Sequence, residues 1–214
     1  MMEQQVILDD LHGYWDGLRG RRIAPRRSDL DPNLFGAALE HIFFLESAPD
    51  GPMRIRLAGT RLSEIMGMEA RGMPARAMFA PRDQGRADAM LAEVLDHPAN
   101  IDVTMSVRAL DGRVWKAGML LRPLADDFGS LTRVLGCLVT EAPRSETELS
   151  LQIGAIRIDT LRETPVAPHA SGFAEAQAPF VGPHLRAMPE GRGKPEGVRQ
   201  PISRAHLRIV SSRD

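Results

Sequence analysis

The side chains of this 214-residue chain that could do chemistry are few and widely scattered. The single cysteine, Cys137, lies inside the run Val134-Leu135-Gly136-Cys137-Leu138-Val139. A thiol in that setting behaves as a small buried hydrophobe rather than a nucleophile. One cysteine excludes an intramolecular disulfide and any multi-cysteine metal site, and fits a reducing compartment. Of the histidines, His41 opens an apolar run, and His97 precedes Pro98 at the end of a helical pattern. His169, His184 and His206 stand far apart, unlike a compact ligand set, so no metal site is expected. Asp9-Asp10 reads as the polar face of a helix, and Asp126-Asp127 as a solvated loop pair. No glycine-rich phosphate loop and no Gly-x-Ser-x-Gly elbow occurs. The strand pattern offers only Asp102, Thr104 and Ser106 on one face. That is too little for an acid–base dyad, so the chain reads as non-enzymatic.

Softer groups are more suggestive. Met66, Met68, Met73 and Met78 cluster in one helical region, with Met90 on the next helix. Such adaptable side chains line a pocket or fill a core. Met66, Met78, Phe79, Met90, Met105, Trp115 and Cys137 are the ligand-pocket candidates. Arg19 to Arg27 holds five arginines. They could meet nucleic acid, a phosphate or an acidic partner, or they could pair with Asp29, Asp31 and other acids in a structural clamp. The net charge of −1 and the lack of interleaved aromatics disfavour nucleic acid. Leu8, Leu11, Tyr14, Trp15 and Leu18 recur at three- and four-residue spacing, which is an amphipathic helix. Its stripe, Leu11, Trp15 and Leu18, would be exposed in a monomer, so these residues are dimer candidates.

No apolar run approaches the roughly 20 residues that cross a bilayer. The start, Met-Met-Glu-Gln-Gln-Val, has neither a basic region nor a long apolar run, so no signal peptide is visible and a cytoplasmic protein is expected.

The elements that must position these residues follow from pattern. Asp31-Pro32 is a helix start, with Asp31 as cap and Leu34, Phe35, Ala38 and Leu39 continuing the helix. Ile42 to Glu46 and Met53 to Ala58 form a hairpin across Pro49-Asp50-Gly51-Pro52. Gly59 then breaks the strand, Thr60 caps a short helix at 61–66 with its hydroxyl, and Gly67 stops it. Residues 67–83 read as short helical turns, and Gln84 to Leu95 as a helix with Ala87, Met90, Leu91 and Val94 on one face. Alternation from Ile101 to Val107, the tight-turn signal Asp111-Gly112, and Val114 to Arg122 give a second hairpin. Thr132 to Thr140 is the last strand, and its two-sided apolar run places it centrally. From Glu141 on, proline, glycine and charge dominate, which reads as a mainly flexible tail. Within it, Leu149 to Leu161 could form a short strand or helix, and the end, His206 to Val210, is apolar enough to dock.

This order resembles the PAS domain, in particular a bacterial subfamily of short, mostly stand-alone PAS proteins. The matching residues are Trp15-x-x-Leu18-Arg19-Gly20, Pro25 to Pro32, Arg56-Leu57-Ala58-Gly59-Thr60, Gly67, Asp111-Gly112-Arg113, Pro123-Leu124 and Leu135-Gly136. The match covers about residues 10–142. It implies an α+β fold: a five-stranded antiparallel sheet in order 2-1-5-4-3, with helices cupped over one face. Residues 1–40 then hold the N-terminal helices and the arginine-rich connector, 41–142 the PAS core, and 143–214 the tail. Arg26, Arg27, Asp29, Asp31, Gly59 and Thr60 become structural motif residues. PAS domains sense small ligands or cofactors, dimerise or bind partners, so the resemblance implies a sensory or regulatory module. It would be a homodimer with a small-molecule ligand or a signalling-protein partner, or a ligand-free dimerisation adaptor. A photoactive flavin domain needs a cysteine in a polar Asn-Cys-Arg helix motif, and a haem domain an axial histidine near the third strand. Neither is matched, so no cofactor is identified.

Overall fold

The computed structural model of the protein describes residues 2–48 and 51–163. The helix read from the apolar spacing near the start is α1, Met2–Arg19. The hairpin follows as β1, Ile42–Ala48, and β2, Gly51–Ala58. Helix α2, Thr60–Met66, ends at Gly67 in the left-handed region, φ 67°, where glycine carries no Cβ penalty. Two 3-10 turns lead into α3, Gln84–Asp96, whose buried residues are Ala87, Met90, Leu91 and Val94. Then come β3, Ala99–Arg108, β4, Val114–Ala125, β5, Leu131–Thr140, and β6, Ser150–Thr160.

All neighbouring strands are antiparallel, in the order β2-β1-β5-β4-β3-β6. The first five strands take the expected order, and the sixth is a correction. Residues 150–160 belong to the sheet, not to a tail beginning at 143. Strand β6 is held at its outer edge by side chains. Asp83 accepts from the Ile153 amide at 3.1 Å, and Arg86 donates to the carbonyls of Ile153 and Gly154 at 3.2 Å each. These contacts satisfy backbone groups that an edge strand otherwise leaves open. Residues 164–214, including His169, His184 and His206, lie outside the described residues.

Two further expectations are corrected. Asp31 caps only a 3-10 turn, Pro32–Leu34, accepting from the Asn33 amide at 2.9 Å. No longer helix follows, because Gly36 sits at φ 51°, outside the right-handed helical region, and only a second 3-10 turn, Gly36–Ala38, comes after. Gly59, not Thr60, occupies the N-cap of α2, and no side chain caps it. Gly59 is required there by close approach: a Cβ would lie 2.3 Å from the Glu40 carbonyl oxygen.

The sheet is apolar on both faces. Toward α2 and α3 it presents Phe43, Leu45, Val134, Leu138, Ile101 and Met119. Toward the other side it presents Ile42, Phe44, Leu120, Leu135, Cys137 and Val139, covered by Leu11 and Trp15 of α1 and by Leu30 and Phe35 of the connector. The stripe expected to be exposed is therefore not exposed. Leu11 is 2 % and Trp15 0 % accessible within one chain, and Leu18 is partly buried beside them. Trp15 also donates its Nε1–H to the Pro123 carbonyl at 3.0 Å, so its one polar atom is satisfied in the core.

Two stability outcomes follow. Gly136→Ala places a Cβ 2.1 Å from the Phe43 ring, so it should cost about 1–3 kcal/mol by overpacking, read by chemical denaturation. Trp15→Ala should cost about 3–5 kcal/mol in the same measurement, as a large-to-small core change. Wild-type stability in the Trp15 variant would mean that α1 does not sit on its own sheet in solution.

Candidate functional site

The pocket candidates divide between the two faces. Met78, Phe79, Met90 and Met105 are 3–4 % accessible and belong to the packed layer between the helices and the sheet. Met66 and Trp115 are partly buried against that layer, and the Arg113 guanidinium lies 5.3 Å from the Trp115 ring centroid. Cys137 is a correction to this set. It faces the opposite side with Leu135 and Val139, because side chains alternate along β5. These methionines fill the inner layer as ordinary core side chains.

Two open clefts flank α1 on the outer face. One, about 850 Å³, runs between the start of α1 and the β2–α2 junction, past Leu39, Leu57, Gly59 and Arg144. Leu39 and Leu57 are about half exposed there, at 51 % and 46 %. The other, about 410 Å³, lies between α1 and the outer face of β4, β3 and β6. Gln4, Leu8 and His12 form its helix wall, Gly118 part of its floor, and Asp102, Arg122 and Arg157 its polar end. None of the seven pocket candidates lines either cleft.

The polar end of the smaller cleft is a network that sequence reasoning missed. Arg122 is 2 % accessible, although it carries a full charge. Its Nη1 donates to the carbonyls of Ile101 and Leu121, both at 3.0 Å. Its Nη2 donates to Asp102 Oδ1 at 2.6 Å, and its Nε donates to His12 Nδ1 at 3.2 Å. The other Asp102 oxygen accepts from Arg157, which also pairs with Asp159 at 3.4 Å. A buried cation is tolerated only with such partners. Burial alone would raise the Asp102 carboxyl, but the flanking guanidiniums of Arg122 and Arg157 outweigh it and hold it below the usual carboxylate range. Burial also pulls the Arg122 guanidinium down, against the pull of Asp102. One clue was visible: Arg122 interrupts the apolar run Met119-Leu120-Leu121 ahead of Pro123-Leu124. Its partners could not be read, since His12 is 110 residues away.

The connector lies between α1 and the sheet. The Arg26 amide donates to Asp29 at 3.0 Å, and Asp29 pairs with Arg22 at 2.9 Å. Arg27 sits 4.4 Å from the Phe44 ring centroid, a cation–π distance. The Asp31 amide donates to the Tyr14 hydroxyl at 2.8 Å, and the Ala125 amide to the Pro25 carbonyl at 2.9 Å.

The residues do not fit thiol–flavin photochemistry or histidine ligation of a haem beneath the cap. The Cys137 thiol is fully buried, and burial pushes it up to about 12. His97 is 74 % exposed and pairs with Glu93 at 3.2 Å. His41 donates Nδ1–H to the Leu138 carbonyl at 3.0 Å, a structural bond. Among the described residues no group of three or more His, Cys, Asp or Glu side chains is placed to hold a metal, and no helix is long and apolar enough to cross a membrane. Cys137 should resist alkylation at pH 8 in the native protein and react on denaturation, because only the thiolate attacks. Stoichiometric native labelling, read by mass spectrometry, would contradict this placement.

Several solved structures are similar to the chain, all at low identity. A light-oxygen-voltage domain studied with a flavin analogue matches at 17% identity and TM-score 0.41, covering 53% of this chain and 85% of that one. The Rhodobacter sphaeroides LOV protein matches at 14% identity and TM-score 0.39, over 50% and 61%. An RNA-binding light-oxygen-voltage receptor matches at 19% identity and TM-score 0.37, over 46% and 29%. No curated protein matches. The family model for the PAS domain matches residues 3–139, from α1 to the end of β5. That span takes in both the outer-face helix and the sheet it covers, and the chain belongs to the PAS domain family.

Proposed function

We propose that this chain is a non-catalytic sensory and regulatory module that signals through partner-dependent protein interaction at the face carrying α1. The observation that carries this reading is the contrast between the two faces. Beneath α2 and α3 the candidate pocket is occupied by Met78, Phe79, Met90 and Met105 at 3–4 % accessibility. Beside α1 there are open clefts bordered by half-exposed leucines and a charged network. Fold alone does not select a function, so the site must. The arginine connector 19–27, with Arg26, Arg27, Asp29 and Asp31, serves as the clamp that keeps α1 and the sheet in register. A partner recognising α1, or the cleft beside it, reads the state of that clamp and of the helix.

The second reading is a ligand-free dimerisation adaptor. What favours it is the exposed pair Leu39 and Leu57, which moves the dimer surface away from Leu11, Trp15 and Leu18 to the larger cleft. Native mass spectrometry of the freshly purified full chain, followed by capture of partners from cells that make it, separates these readings. The expected result is the bare 23.5 kDa chain with no retained small molecule, and a partner held by wild type but lost with Leu39→Arg/Leu57→Arg. A retained stoichiometric ligand would return the input to the cap side. A dimer dissolved by the same double substitution would favour the adaptor.

A further inference from the structure

The cluster at the polar end of the smaller cleft does not have the character of a ligand site. Arg122, Asp102 and Arg157 already hold one another, and Asp159 pairs with Arg157, so two guanidiniums face two carboxylates. What the cluster does hold is a helix. His12 is the residue of α1 bonded to it, and the acceptor atom, Nδ1, is also the atom that takes up a proton.

We propose that His12 is a proton-operated latch, holding the N-terminal half of α1 on β4 while neutral and releasing it when protonated. This proposal rests on the reading of α1 as the signalling element. The Nε–H of Arg122 can donate to Nδ1 only if that nitrogen is bare, so the docked state requires neutral imidazole with its proton on Nε2. Protonation replaces the hydrogen bond with two donors face to face, one of them on a guanidinium that is buried and cannot turn away. Arg122 is pinned by the Ile101 and Leu121 carbonyls and by Asp102. The imidazole is the less buried partner, and it must leave.

The groups facing His12 come from four elements: Arg122 from β4, Asp102 from β3, Arg157 from β6, and Asp16 from α1 itself. Asp102 and Asp16 favour the protonated ring, while Arg122 and Arg157 oppose it. Burial, then Arg122, win, and the ring is held below its ordinary value. A base with a depressed value in the docked state favours docking above its ordinary value, about 6.5, and loses that contribution as pH falls below it. Release therefore belongs to mild acid. Asp102, held low by its arginines, stays charged in that window.

Next to the latch, Leu8 lies on Gly118, with its Cδ1 only 3.2 Å from where a Cβ would stand. Residues Gln4 to His12 also form the helix wall of the cleft. Opening the latch therefore widens an existing gap.

Amide hydrogen exchange on the full chain, corrected for the chemical rate at each pH, tests this. From pH 7.5 to 5.5, residues 4–12 should lose protection several-fold while β4 and β5 keep theirs. His12→Asn retains an acceptor near the Nδ1 position without a proton to gain, so its α1 should stay protected at both values. His12→Lys, carrying a fixed charge, should leave α1 open at both. Unchanged wild-type protection, or an equal loss in His12→Asn, overturns the latch. The protein alone is used, so this failure is distinct from a failure to find a partner.

Discussion

The central strand β5 has no solvent face, and the rest of the molecule is arranged around that constraint. Val134 and Leu138 need a cover on one side, and Leu135, Cys137 and Val139 on the other. Helices α2 and α3 supply the first. The second comes from α1 and the connector, with Leu161 packed beside them. A helix at the chain start is therefore an obligatory half of the core. Its apolar contacts cannot be traded for a partner's without an equal area being replaced, because each buried Leu or Val contributes about 1.5–3 kcal/mol.

Much of this was legible in the sequence, for reasons that differ from element to element. The two-sided run at Val134–Val139 announced a central strand. Asp111-Gly112 announced a tight turn, and Gly112 does sit at φ 91°. Strand β6 was harder, and its bulge explains why. The pairing shifts between Val103 and Met105, so β6 carries an extra residue at Gly154 and its apolar set changes parity between Ile153 and Ile156. An alternating pattern broken in the middle reads as neither strand nor helix. Gly154 is needed at that shift, since a Cβ would lie 2.6 Å from the Thr104 carbonyl oxygen.

The outer-face site was less legible than the fold. Leu11 and Trp15 were recognised as an apolar stripe, but a stripe does not say which surface covers it. Covering by the chain's own sheet and covering by a second copy leave the same periodicity. Arg122 is a charge in an apolar run, yet its meaning lies in His12 of α1 and Asp102 of β3, brought to it only by folding. Conversely, the methionines drew notice by composition, yet Met78 and Met90 are buried in the packed layer while Met68 is 54 % exposed. Soft side chains at core positions look the same whether or not they enclose a space.

The size of the contacts decides how far a proton at His12 could move α1. A hydrogen bond to a charged group contributes about 1.5–3 kcal/mol, and leaving a buried charge less well partnered costs a similar amount. Burial of Leu11 and Trp15 together exceeds that, and the Trp15 bond to Pro123 adds to it. Protonation thus cannot strip the whole helix, but it can tip the segment before His12, where Gln5 and Asp9 are exposed and the apolar anchors Ile7 and Leu8 are only partly buried. Trp15 then acts as the fixed end and His12 as the point of release. The outer face of β5 stays covered in both positions, which lets a surface change while the core does not.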